Sequence, residues 1–134
     1  MRQLLFVYGT LLPGLAPASM RAICDRLTPV SRATVQGSLY DLGPYPAVVT
    51  GGANLVHGEL LEIDGDDTWG SLDRYEGCPR PGEGDGLFRR ICTVATLPSG
   101  ESVDCWIYVY DRDLSRAGAK LVASGCWRTH RGLL

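Results

Sequence analysis

Lysine is almost absent from this chain: Lys120 stands alone against twelve arginines. The arginines are scattered, apart from Arg89-Arg90, so no basic run or stripe can follow a phosphate backbone. With a net charge of −2, nucleic acid is not an expected partner. Histidine is scarce too. His57 and His130 are far from one another and from any close cysteine pair. The five cysteines (Cys24, Cys78, Cys92, Cys105 and Cys126) are widely spaced and form no CxxC. A zinc site needs clustered ligands, so no metal is expected. An odd, dispersed set suits reduced thiols in a reducing compartment. Long apolar runs are also lacking. Leu4 to Val7 is only strand length, and nothing approaches the ~20 apolar residues that span a bilayer. No N-terminal segment combines the charged, apolar and cleavage regions of a signal peptide. The expectation is a cytoplasmic protein with no membrane partner. No GxSxG is present, which leaves a nucleophile-elbow hydrolase unsupported.

What is present is one domain's worth of chain, 1–134, without an internal repeat or linker. Leu4 to Tyr8 reads as a buried strand stopped by Gly9. Pro17 opens a helix with Met20, Ile23, Cys24 and Leu27 on one face, ended by Pro29. Ala33 to Leu42 alternates as a strand, with Gly37 at a bulge or close approach. Ala47 to Thr50 is a short strand broken by Gly51-Gly52, and Asn54 to Ile63 is the next. Trp69, Leu72 and Tyr75 fit a short helix closed by Gly77. Cys78 to Gly86, rich in proline and glycine, is a loop or lid. Leu87 to Leu97 and Ser102 to Tyr110 flank a turn at Pro98-Ser99-Gly100. In the second of these strands, Val103, Cys105, Ile107 and Val109 share one face, while Trp106, Tyr108 and Tyr110 share the other. Leu114 to Val122 reads as a weak helix. About six strands and two or three short helices give an α+β fold: a mainly antiparallel sheet or small barrel with helices packed on it.

Two stretches carry the chemistry. Gly9-Thr10-Leu11-Leu12-Pro13-Gly14 has the glycine spacing of a phosphate loop, but Leu15-Ala16 follows where Lys and Ser or Thr belong. A loop after a strand still offers several backbone N–H groups to a carboxylate or carbonyl oxygen. The plain alternative is a strand-to-helix turn. Glu76 precedes Gly77 at the negative end of the short helix dipole, which disfavours a carboxylate. That effect is less than about one pKa unit, so a working general base would also need burial. The plain alternative is a solvated surface glutamate. Asp73, three residues earlier, can share its helix face. Cys78 with a distant histidine is a weaker nucleophile candidate. Arg89 and Arg90 point to opposite faces of their strand, so at most one enters a given pocket.

VYGTL (Val7 to Leu11) with Pro13-Gly14, GSLYDLGPYPAVV (Gly37 to Val49), VHGELLEI (Val56 to Ile63), LDRYEG (Leu72 to Gly77), FRRICTV (Phe88 to Val94), WIYVY (Trp106 to Tyr110) and SGCW (Ser124 to Trp127) occur in this order across nearly the whole chain. By their order and spacing the chain resembles the γ-glutamylcyclotransferase-like proteins, in the γ-glutamylamine cyclotransferase and avirulence-induced-gene-like branch. The resemblance implies a small β-barrel with helices around it. It implies that Tyr8, Gly9, Thr10 and Leu11 hold a γ-glutamyl group through main-chain amides, and that Glu76 moves the proton. Arg90 joins the expected substrate-binding set. Where this chain has Phe88 the family often has tyrosine.

The implied reaction needs no cofactor. The α-amine of a γ-glutamyl amide attacks its own γ-carbonyl, closing a five-membered lactam and releasing a free amine. Intramolecularity supplies proximity. One carboxylate can take the amine proton and return it to the leaving nitrogen. The expected partner is a small γ-glutamyl substrate, and the expected state a monomer or homodimer. Two other readings stay open: a non-catalytic binding module on the same barrel, and a cysteine hydrolase using Cys78.

Overall fold

A computed structural model of the chain describes residues 3–9, 26–43, 46–63, 68–69, 72–73, 88–110, 114 and 118–132. The strands are β1 (Leu4–Val7), β2 (Leu27–Asp41), β3 (Pro46–Ile63), β4 (Phe88–Thr96), β5 (Ser102–Tyr110) and β6 (Lys120–Leu121), followed by the short helix α1 (Trp127–His130). They form one sheet in the order β3-β1-β5-β4-β2-β6, and β2 also pairs with β3. That extra pairing closes five strands into a barrel and leaves β6 as an added strand on β2.

The barrel is mixed. β1 runs antiparallel to β3 but parallel to β5, with Leu5 opposite Trp106. The sequence expectation of a mainly antiparallel arrangement did not specify this parallel contact. Parallel neighbours need a long crossover rather than a tight turn, so hairpin signals could not reveal it. The hairpins themselves lie where the turn residues predict: β2 with β3, and β4 with β5.

Alternation sorts the side chains into two clusters. Phe6, Val35, Leu39, Val48, Val56, Leu60, Ala95 and Ile107, contributed by all five barrel strands, fill the interior. Each large side chain buried there is worth roughly 1.5–3 kcal/mol. Leu5, Val7, Leu61, Phe88 and Tyr108 face outward and are covered by Trp69 and Leu72. Residues 68–69 and 72–73 are helical, within the helix expected around Trp69 and Leu72.

Several expectations are revised. Leu27 and Pro29 belong to β2 rather than to a helix; the rest of that expected helix, 17–25, lies outside the described residues. Proline is accommodated because the ladder shifts register there: Pro29 faces Leu61 and Ser31 faces Leu60, leaving Val30 bulged. The Leu114 to Val122 helix gives way to β6, paired with Tyr40 and Asp41. Gly118, at φ +66°, precedes that strand. α1 was not anticipated. Gly51 and Gly52, at φ +97° and +82°, interrupt pairing without ending β3. The β2 partner of Thr50 is Gly37 and that of Leu55 is Gln36, so residues 51–54 have no β2 partner. Gly37 is therefore at a register shift, and a Cβ there would lie 2.7 Å from the Val49 carbonyl oxygen.

Candidate active site

Tyr108 stands at the centre of the described part of the site. Its position on β5 turns its side chain away from the barrel interior, beneath Trp69 and Leu72. A buried phenol requires a hydrogen-bond partner for its hydroxyl. Tyr108 donates to Asp73 Oδ1 at 2.6 Å. The main-chain oxygen of the same residue accepts from the hydroxyl of Tyr8 at 2.6 Å. Tyr8 itself packs into the barrel interior at the end of β1. One strand residue thus ties VYGTL to LDRYEG, the two motifs the sequence nominates.

Asp73 is further held by Arg90. Arg90 Nε lies 3.1 Å from Oδ1, and Nη2 donates to Oδ2 at 3.1 Å. A two-pronged guanidinium–carboxylate contact fixes orientation as well as distance. The pair is half-buried, 27% and 28% exposed, so solvent screens it less than an open surface pair. The guanidinium carbon also stacks 4.3 Å from the ring centre of Trp69 and 5.1 Å from that of Trp106. The two indoles meet edge to face at 6.1 Å. Trp106 Nε1 donates to Gln3 at 3.0 Å. Arg90 is therefore clamped between a carboxylate and two indoles on the outer face of the barrel.

The nominated residues fall as follows. Tyr8 and Arg90 are brought to the same network through Tyr108 and Asp73. Gly9 follows Tyr8, and the space where its Cβ would sit is taken by the ring of Pro46. This glycine therefore answers a packing need, in addition to any ligand approach from another side. Thr10, Leu11 and Glu76 lie outside the described residues, as do Cys78 and the loop to Gly86. Phe88 is buried with its ring edge-on to Tyr110 at 5.5 Å. Sequence reasoning missed Tyr108 and gave Asp73 only a shared helix face. The available signal was two tyrosines alternating with apolar residues on β5, each hydroxyl needing a partner.

A separate cleft of about 700 Å³ lies beside β2 and β3, with Arg32, Thr34, His57, Glu59, Thr96 and Cys126 among its walls. None of the nominated residues that are described, Tyr8, Gly9 and Arg90, is among its walls. The other histidine, His130, contacts Asp41. Among the described residues no group of histidine, cysteine, aspartate and glutamate could hold a metal ion. No described helix is long and apolar enough to cross a membrane.

A closed mixed barrel with these motifs in this order defines a class of cyclotransferase-like domains. The chain belongs to the gamma-glutamyl cyclotransferase, AIG2-like family, whose model matches residues 5–129. A protein of Vibrio cholerae serotype O1, named "Putative gamma-glutamylcyclotransferase", is 33% identical over 127 residues, which is 95% of this chain and 96% of that one. The crystal structure of an AIG2-like protein from Mus musculus superposes with a TM-score of 0.74 at 21% identity, covering 98% of this chain and 93% of that one. The crystal structure of YkqA from Bacillus subtilis gives 0.72 at 22% identity; this chain is covered to 98% but spans only 41% of that protein. At these identities the two structures support the fold alone.

Proposed function

We propose that the protein is a γ-glutamyl cyclotransferase that releases 5-oxoproline and a free amine from a γ-glutamyl amine or amide, with Glu76 as general acid and base. The observation that carries this reading is the shared anchor: Tyr108 holds the hydroxyl of Tyr8 through its carbonyl and the carboxylate of Asp73 through its hydroxyl. Tyr8 opens the loop assigned to substrate binding. Asp73 precedes Glu76 by three residues, no more than about 11 Å of extended chain. Family membership supports the same chemistry.

The steps balance within the substrate and one carboxylate. Main-chain amides of Tyr8, Gly9, Thr10 and Leu11 hold the glutamyl group and stabilise charge developing on the γ-oxygen. Glu76 takes a proton from the α-amine as its nitrogen bonds to the γ-carbon. The C–N bond to the leaving amine then breaks, and Glu76 delivers the proton to that nitrogen. The ring closes without a protein nucleophile because both reacting groups belong to one molecule.

The test is a screen of γ-glutamyl amino acids and γ-glutamyl amines, with 5-oxoproline followed by mass spectrometry. Turnover of at least one class is expected. Measurable binding with no turnover of any γ-glutamyl compound would instead favour a non-catalytic module on the same barrel.

A further inference from the structure

We propose that Tyr108 is a positioning residue that holds the two halves of the site on one post. This rests on the cyclotransferase reading for its catalytic readout but not for its structural one. The post has two arms. The Tyr108 carbonyl restrains Tyr8, and with it the loop that follows β1. The Tyr108 hydroxyl restrains Asp73, and with it the segment leading to Glu76.

The geometry makes this more than packing. Tyr108 is almost fully buried on a strand paired with β4 along its whole length, from Phe88 opposite Tyr110 to Thr96 opposite Ser102. Asp73 receives the Tyr108 hydroxyl and the Arg90 guanidinium together. Arg90 faces Tyr108 directly across the β4–β5 ladder. These two donors to Asp73 thus come from one register position of the barrel wall. Tyr8 bonds to the main chain at the same position. Displacement of a catalytic group by about 1 Å can cost about 10²-fold in rate, so a single post for both arms has a direct kinetic consequence.

The two arms predict different kinetic signatures. Tyr108→Phe keeps the ring and the carbonyl and removes the bond to Asp73. It is expected to lower kcat by about 10- to 100-fold with KM nearly unchanged, because the proton-moving group loses its aim. Asp73→Asn weakens the acceptor for the Tyr108 hydroxyl and removes the charge paired with Arg90, so it should lower kcat in the same direction. The double variant should lose less than the two single losses combined, because Tyr108 acts through the Asp73 side chain. Tyr8→Phe loosens the loop arm and is expected to act chiefly on KM. A purely structural role would lower thermal stability without this split between kcat and KM.

The experiment uses the full chain and its three single variants, with Tyr108→Phe/Asp73→Asn as the fourth. Steady-state kinetics are paired with backbone hydrogen exchange. Exchange is expected to rise over 74–77 in Tyr108→Phe and Asp73→Asn, and over 9–12 in Tyr8→Phe. If wild type turns over no γ-glutamyl compound, the cyclotransferase reading fails, and the exchange pattern decides the positioning role by itself. If Tyr108→Phe does not fold, Asp73→Asn carries the same comparison. Additive kinetic losses in the double variant, or unchanged exchange over 74–77 in the folded variants, overturn the proposal.

Discussion

The carboxylate of Asp41 accepts a hydrogen bond from His130 Nε2 at 2.8 Å, joining the end of β2 to the end of α1. Asp41 also accepts from the backbone N–H of Gly43 at 2.7 Å, and Arg131 lies 3.8 Å away. The His130 bond, then the Gly43 bond, then the Arg131 charge hold the Asp41 carboxyl below its ordinary 3.8. A carboxyl lowered in the folded state adds stability that is fully present above its unfolded value and lost as pH falls through the folded one. Asp41→Asn is therefore expected to cost about 1 kcal/mol at neutral pH. That difference should shrink progressively below pH 3.8. Urea midpoints of both proteins across this range check it, and a gap that persists undiminished in acid would refute the ionic origin.

The local elements were legible in the sequence because their signals are local. Apolar alternation along β5 sorted Cys105, Ile107 and Val109 from Trp106 and Tyr108, and the two faces are indeed the interior and the outer cluster. Pro98-Ser99-Gly100 marked a hairpin because a turn depends on adjacent residues. What could not be read was whatever depends on residues far apart in the chain. The parallel β1–β5 contact joins Leu5 to Trp106. Tyr108 meets Tyr8 from 100 residues away and Asp73 from 35. Nothing in the spacing of a tyrosine on a strand says which carboxylate it will find. Pro29 misled for a different reason: proline ends helices, but a strand bulge tolerates it equally well.

Cys105 and Cys92 sit on neighbouring strands with opposite exposures, and both are free thiols. Burial, then the nearby Asp104 and Cys92, push the Cys105 thiol up to about 12. The thiolate is the reactive form, so Cys105 is expected to resist alkylation in the folded protein while Cys92 reacts readily. The expected ratio of native rates is about 10³ or more. Brief iodoacetamide labelling at mildly alkaline pH, read by mass spectrometry of the two peptides, tests this. Equal labelling would mean that β5 opens far more often than its buried inner face implies.

Gly58 on β3 lies against Val7 and Phe6 of β1. A Cβ at this position would collide with the carbonyl oxygen of Val7 and lie 2.7 Å from the ring of Phe6. The first obstacle is backbone and cannot rotate away. Overpacking of a buried site costs about 1–3 kcal/mol, and a backbone collision falls at the upper end or beyond. Gly58→Ala is expected to lower the melting temperature by several degrees, or to prevent folding, although alanine has the better intrinsic propensity. A wild-type melting temperature in the variant would show that β1 can shift away from β3 at little cost.

Glu76→Gln isolates the proton-transfer role from every other contribution of the site. Glutamine keeps the length of the side chain and most of its hydrogen-bonding capacity, but it cannot accept the amine proton. General acid–base catalysis is typically worth ~10²–10⁴-fold. The variant is therefore expected to lose that much in kcat while KM stays near wild type, since in the proposed mechanism the substrate is held by main-chain amides that the substitution leaves in place. The comparison with Tyr108→Phe is informative. That variant removes the aim of the carboxylate but not the carboxylate, so it should retain more activity than Glu76→Gln. Combined with Glu76→Gln, it should add almost nothing, because a positioning residue has no effect once the group it positions is gone. The measurement is 5-oxoproline release by wild type, both single variants and the double variant on one substrate. A Glu76→Gln protein as active as wild type would remove Glu76 from the mechanism. A double variant much slower than Glu76→Gln alone would show that Tyr108 serves the reaction by some route other than this carboxylate.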